Sequence, residues 1–363
     1  MNNLVKVSII IATFRRGNQL LTVLGDLERC KQDWVEIIVV DQTPKEEYSQ
    51  EIYKKLRELE NLGLFRWINY PRNYVYEARN YGAAVSLGDL LWWLDDDVRV
   101  GADTLEKLVS YFNSYETLSV VQGNLIPEEL FNRMRAMYQE ADLTFQINRA
   151  TEWLNKSRPI PENIKNKLLS LPPELQAFYC ETGFAEPVTN CAWISANNMM
   201  VKREAFEAIN GWDEYILNYG DRNLGIRISK ANFKIQWAPE VSIVHLQNKT
   251  GGSRMSDPKN PIRGWRSCVS IWYLAFKYLY LHPAAFVKFG IYKAARYSFL
   301  LKRNSASLLL LIRNSISYII SAFIGLYWSW NKPLSSYNKW RAEYLNNQCK
   351  TLPMPVPLKR CPE

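Results

Sequence analysis

Short apolar runs alternate with longer mixed segments from the N-terminus to about residue 125. The run at residues 5–12, VKVSIIIA, is rich in β-branched side chains. That pattern predicts a strand buried on both faces. Thr13 to Gly17 predicts a turn, and the stretch from there to about Glu28 predicts a helix. Further strands are expected at Glu36–Val40, Leu64–Asn69, Leu90–Leu94 and Leu118–Asn124, with helices at Lys45–Glu60, Glu77–Leu87 and Gly101–Asn113. Buried strands alternating with helices imply an α/β fold with a doubly wound, mostly parallel sheet.

Residues 127–190 break the alternation. They carry helical patterns at about Leu130–Leu154 and Ile164–Leu171, with proline-rich joints at 159–161 and 172–173. This insertion is either a wall or lid of a substrate pocket or a structural excursion. Strand character returns at Trp193–Val201, a helix at Lys202–Ile209 and another at Asp221–Ala231. Two short strands are expected at Phe233–Trp237 and Val241–Val244.

The pattern changes again beyond residue 250. Ile262 to Trp330 is aromatic and aliphatic, with interspersed Lys and Arg and no acidic residue. Three readings fit: amphipathic helices lying on an anionic membrane, one span at the uncharged stretch Asn314–Asn331, or helices packed on the catalytic domain or a dimer partner. The expected organisation is a catalytic unit over 1–250, a basic, aromatic helical region over 251–335, and a loose tail over 336–363.

Composition narrows the class. Hydrophobic content of 47% and charged content of 22% describe a globular chain. A net charge of +9 suits a membrane surface or a phosphorylated ligand. It would suit nucleic acid too, but no nucleic-acid module is present. The six cysteines are scattered without a CxxC pair, which argues against a zinc cluster or a disulfide scaffold. The N-terminus runs straight into the first strand pattern, so no secretory signal is expected and a cytoplasmic location follows.

Asp95-Asp96-Asp97 ends the apolar run Leu90–Leu94. Adjacent carboxylates at a strand end repel one another unless a cation or donors compensate. They either bind a divalent ion with a diphosphate, at the sheet edge where open α/β folds place ligands, or cap the following helix. Asp41 ends the second strand, where a carboxylate accepts from a base or ribose or caps a turn. Arg79 and Asn80 open the helix leading back to the acidic strand. Asn197 and Asn198 place amides near the same edge. His245 ends the last strand. Lys249 and Arg254 lie in a Gly/Ser-rich stretch, either a diphosphate-closing loop or a linker.

In order along the chain stand VSIIIATFRR, IIVVDQT, EARNYGAAVSLGDLLWWLDDDV, SANNMMVKREAFEAINGWDE and GDRNLGIRISKANFKIQWAPEVSIVHL. With these five blocks, residues 5–245 resemble the inverting family 2 glycosyltransferases of GT-A fold. The resemblance implies transfer of a sugar from a nucleotide-linked donor, UDP- or dTDP-linked, to an acceptor hydroxyl, with Mn²⁺ or Mg²⁺ as cofactor. The basic, aromatic C-terminal region adds the expectation of a glycan or lipid-linked acceptor. The alternatives are a catalytically inactive relative that binds nucleotide sugar and a membrane-surface scaffold. Thr13, Asp41, Arg79, Asp95 and Asp96 would then bind nucleotide, and Asp97 and His245 the metal. Asp221 would be the catalytic base, or else a helix cap. Trp212, Asp213 and Asn197 would face the acceptor, with Trp212 stacked on a sugar. The family's Glu-Asp pair reads Gly220-Asp221 here, a departure that touches acceptor positioning. The enzyme would act at the cytoplasmic face of a membrane.

Overall fold

The computed structural model describes residues 7–30, 32–157, 161–181, 188–246, 262–291 and 308–346. Strand β1 (Val7–Thr13) is apolar at nearly every position and lies between β2 (Val35–Asp41) and β4 (Leu90–Leu94), parallel to both. With β3 (Arg66–Asn69) outside β2, four parallel strands end at one edge of the sheet. Side chains alternate across this sheet. Ile9, Ile11, Val39 and Trp92 pack on one face, under α1 (Gly17–Glu28) and α4 (Thr104–Ser114). Ile10, Ile38, Val40 and Trp93 pack on the other, under α3 (Val75–Ala84). Successive tryptophans can both be fully buried because β4 has a core on each side. Each is worth on the order of 3 kcal/mol in apolar burial.

The full sheet has eight strands in the order β3-β2-β1-β4-β7-β6-β8-β5. Here β5 is Val98–Arg99, β6 Leu118–Pro127, β7 Asn198–Lys202 and β8 Lys234–His245. β7 runs antiparallel between β4 and β6, and β8 returns parallel to β6. The two short strands expected near the end of this unit are one strand, β8, with a register shift opposite Gly123 and Asn124. Helix α2 (Gln50–Asn61) joins β2 to β3, and α9 (Arg203–Ala208) follows β7. Helix α10 (Gly220–Lys230) precedes β8. The insertion forms α5 (Glu128–Met137), α6 (Leu143–Ser157), α7 (Glu162–Leu169) and α8 (Pro173–Glu181). Its own small core joins Leu130, Phe131, Ile147 and Leu154 to Ile126 and Val244 of β6 and β8.

The C-terminal helices are α11 (Ile262–Leu274), which runs into a π-helical turn at Ala275–Leu279, α12 (283–291), α13 (Leu308–Ser329) and α14 (Tyr337–Asn346). They pack on the sheet unit. Tyr273 of α11 donates its hydroxyl to buried Asp213, and the Ser270 hydroxyl accepts from the amides of Leu217 and Asn218. No helix among the described residues is long and apolar enough to cross a membrane, so the reading of a span at Asn314–Asn331 falls.

The expectation of a loose tail from residue 336 is also corrected. Glu214 accepts from the amide and hydroxyl of Ser336, and its own amide donates to Leu334. Tyr337 packs edge-on against Phe206, and Trp340 against Tyr81. Arg341 donates to the carbonyls of Ala84 and Ser86 where α3 ends. Burial outweighs these donors at Glu214 and pushes its carboxyl up to about 7. Residues 347–363 lie outside the described residues.

Candidate active site

The ends of β1 and β4 lie side by side, so Thr13 meets the triple Asp. The Thr13 hydroxyl donates to Asp96 at 2.7 Å. The turn after β1, with Arg15 at φ 57°, sends Arg16 beneath the carboxylates. One Arg16 nitrogen stands 2.7 Å from Asp96 and 3.0 Å from Asp97, in a site where all three side chains are buried. Burial still raises Asp96, to about 6, with Arg16 opposing the shift and Asp97 adding to it. Both Asp96 oxygens are thus used from within the protein. Asp95 is the carboxylate turned outward. Its side chain is 28% exposed and meets Arg79 at 2.7 Å.

Pairing of β5 and β8 brings His245 to this cluster. Its Nε2 lies 3.4 Å from Asp97 Oδ1 and 3.4 Å from the Asn197 amide nitrogen. Asp95, Asp97 and His245 each offer an atom within 4.8 Å of the others. Two carboxylates and one imidazole fit a divalent ion of the Mn²⁺ or Mg²⁺ kind better than a soft one. Two guanidiniums face three carboxylates, which leaves one negative charge for such an ion.

Other expected residues sit elsewhere. Asp41 is fully buried and accepts from the Thr43 amide, the Tyr48 hydroxyl and the Trp67 indole, shaping the turn after β2. It presents no surface to a nucleobase. Trp212 is fully buried as well. Asn210 and Gly211 both have positive φ, and this sharp reversal drives Trp212 inward. There it stacks on Tyr76 at 5.3 Å and meets Trp93 edge-on at 5.5 Å. Stacking on a sugar is excluded by that burial. Instead Trp212 lies under Arg79, 5.3 Å from its guanidinium, and so supports the residue paired with Asp95. Asp213 does not face the acceptor side: it accepts from Asn223, Tyr273 and the Leu334 amide. Lys249 and Arg254 lie outside the described residues.

Asp221 lies in the first turn of α10, which Tyr219 enters in a left-handed conformation at φ 63°. Its side chain is 18% exposed and 3.0 Å from Arg222, whose guanidinium stacks on Trp193 at 4.2 Å. Gly220 has a physical explanation. Tyr76 donates no space there: a Cβ at 220 would overlap its ring. The Tyr76 hydroxyl accepts from the Gly220 amide at 2.7 Å. The aromatic ring therefore fills the place that a Glu would need. Gly220→Ala should cost about 1–3 kcal/mol through overpacking, read by denaturant unfolding. Adding Tyr76→Ala to that variant should recover part of the Gly220→Ala cost measured against Tyr76→Ala alone.

Sequence reasoning passed over Arg16, Tyr76 and Arg222. In the sequence Arg16 reads only as part of the turn Thr13–Gly17. Its signal was proximity to a strand end, next to Thr13.

The family model described as glycosyl transferase family 2 matches residues 8–208. The chain belongs to glycosyl transferase family 2. A search of curated proteins finds no match. Among solved structures, this glycosyltransferase is similar to S. aureus TarS 1–349 in complex with UDP-GlcNAc, at 11% identity and TM-score 0.52. That likeness covers 94% of this chain and 92% of TarS. A mannosyltransferase from Pyrobaculum calidifontis in complex with GDP-Man and Mn²⁺ is similar at 15% identity and TM-score 0.49, covering 90% and 88%. At this identity the TarS likeness shows the fold alone and, with the family match, it is the GT-A fold.

Proposed function

We propose that this glycosyltransferase moves a sugar, with inversion, from a nucleoside diphosphate to a hydroxyl of a glycan or lipid-linked acceptor, as a metal-dependent enzyme. The grouping of Asp95, Asp97 and His245 within 4.8 Å carries this reading. A divalent ion held there would offset the charge developing on the departing diphosphate. Thr13 and Arg16 hold the carboxylates in place, and Arg79 fixes Asp95. Asp221 takes the acceptor hydroxyl's proton as its oxygen attacks the anomeric carbon opposite the leaving group. UDP- and dTDP-linked sugars are the donors to try first. The bound UDP-GlcNAc of TarS supports a nucleotide sugar as the donor class.

A thermal-shift panel of nucleotide sugars with and without Mn²⁺ or Mg²⁺ tests this. The right donor stabilises by mass action, by about 2.7 kcal/mol at a hundredfold excess over Kd. The shift should need the metal and vanish in Asp97→Ala. No shift with any nucleoside diphosphate, or an unchanged shift in Asp97→Ala, would refute the proposal. Of the alternatives, a relative that binds but does not transfer loses to metal-dependent donor hydrolysis, and a membrane-surface scaffold loses to a metal-dependent donor shift.

The enzyme works at the surface of an anionic membrane, on the cytoplasmic side. Ile316, Ile320, Phe323 and Tyr327 recur at helical spacing along α13, Trp330 follows just after it, and all are exposed. No acidic residue occurs between Asp257 and Glu343. An apolar stripe within a basic region suits interfacial insertion. Phe323→Glu combined with Tyr327→Glu should abolish flotation with phosphatidylglycerol vesicles while the melting temperature stays within a few degrees. Equal flotation of variant and parent would count against membrane binding by this stripe.

A further inference from the structure

A cavity of about 730 Å³ lies beside the site built so far and shares only Trp193 with it. It lies between β6, β8 and the insertion, whose α6, α7 and α8 close it with Leu154, Lys165 and Cys180. Its volume falls in the range of small-molecule sites. Trp193 and Trp237 line it, together with the amides Asn124, Asn155 and Gln236. Among the described residues its charged lining is Glu162 and Lys165, of opposite sign and both on α7. A nucleoside diphosphate would instead need the divalent ion that Asp95, Asp97 and His245 could hold. Indole faces beside amides, with no net charge, suit the CH faces and hydroxyls of a neutral sugar.

Two walls of this cavity reach the two halves of the reaction site through one side chain each. The Ser195 hydroxyl donates to Asn197 at 2.9 Å, and Asn197 reaches His245 at 3.4 Å. Trp193 carries Arg222 at 4.2 Å, and Arg222 meets Asp221 at 3.0 Å. The cavity therefore borders both the carboxylate cluster and the candidate base.

We infer that this cavity binds neutral sugar rings of the acceptor glycan, so that the insertion selects the acceptor. The assignment rests on the proposed transfer reaction for its biological meaning, but binding can be measured apart from transfer. The full-length protein is applied to an array of neutral and acidic oligosaccharides built from hexoses and N-acetylhexosamines. A subset of neutral glycans should bind. Trp237→Ala removes one stacking face, and Asn155→Trp fills the cavity from an exposed position on α6. Each should weaken binding of that subset at least tenfold. If Trp237→Ala does not fold, Asn155→Trp alone decides. Preference for acidic glycans, no neutral glycan bound, or parental binding by the folded variants would overturn the assignment. Nucleotide-sugar hydrolysis, followed in parallel on the parent protein, separates the two ideas. Glycan binding without hydrolysis removes the transfer reading and keeps the cavity assignment. Hydrolysis without glycan binding does the reverse.

Discussion

Arg16→Ala should cost about 3–5 kcal/mol of folding stability and abolish metal-dependent nucleotide binding. One guanidinium nitrogen serves two buried carboxylates, Asp96 at 2.7 Å and Asp97 at 3.0 Å. Removing one partner of a buried ion pair leaves the other charge without compensation, which sets that magnitude. Urea unfolding reads it. The deficit should also depend on pH. Asp96 already sits at about 6, above its ordinary 3.8, so its folded form holds a proton more tightly than the unfolded chain. A raised carboxyl favours folding at low pH, and that benefit is lost as pH rises through the folded value. Without Arg16 the value climbs further. The gap between variant and parent should therefore narrow below about pH 6 and widen above it. A gap that stays constant from pH 5 to 8 would mean that Arg16 does not balance Asp96. Arg16→Lys should recover only part of the loss, because an ammonium lacks the planar fork.

Asp221→Asn should lower turnover by about 10²–10⁴ while leaving the donor's thermal shift in place. The amide keeps the shape of the side chain but cannot accept the hydroxyl proton, and general-base catalysis is worth roughly that factor. With its side chain 18% exposed beside Arg222, Asp221 is not a core residue, and stability should move by about 1 kcal/mol or less. Turnover at the parental rate in Asp221→Asn would place the base elsewhere.

The strands around the site were legible because their signal is local. LLWWL is apolar at every position and VSIIIA at all but Ser8, as suits strands buried on both faces, and both were placed correctly within two residues at each end. The acidic triplet was visible for the same reason, since it directly follows such a run. Arg16 was not visible, because its partner Asp96 lies 80 residues away. Trp212 misled in the opposite direction. A tryptophan in a glycine turn looks like a platform for a ligand. Its actual neighbours Tyr76, Trp93 and Phe206 come from three other segments, and only the folded chain shows that they close over it. The last helix was missed because its anchors, Tyr337 and Trp340, amount to less than two turns of periodic signal.

The contacts of Asp213 and Glu214 with residues 334–336 also bear on the order of synthesis. Both carboxylates are buried in the finished protein, yet several of their donors leave the ribosome more than a hundred residues later. N-terminal regions usually fold first during translation. Here the growing chain holds two acids in its interior face without those donors until the final stretch emerges. Residues 334–336 thus act as the closing stitch of a unit whose strand β1 was made more than three hundred residues earlier. Nascent chains stalled before Leu334 should be cleaved by protease around residues 210–220, and chains released to their full length should resist.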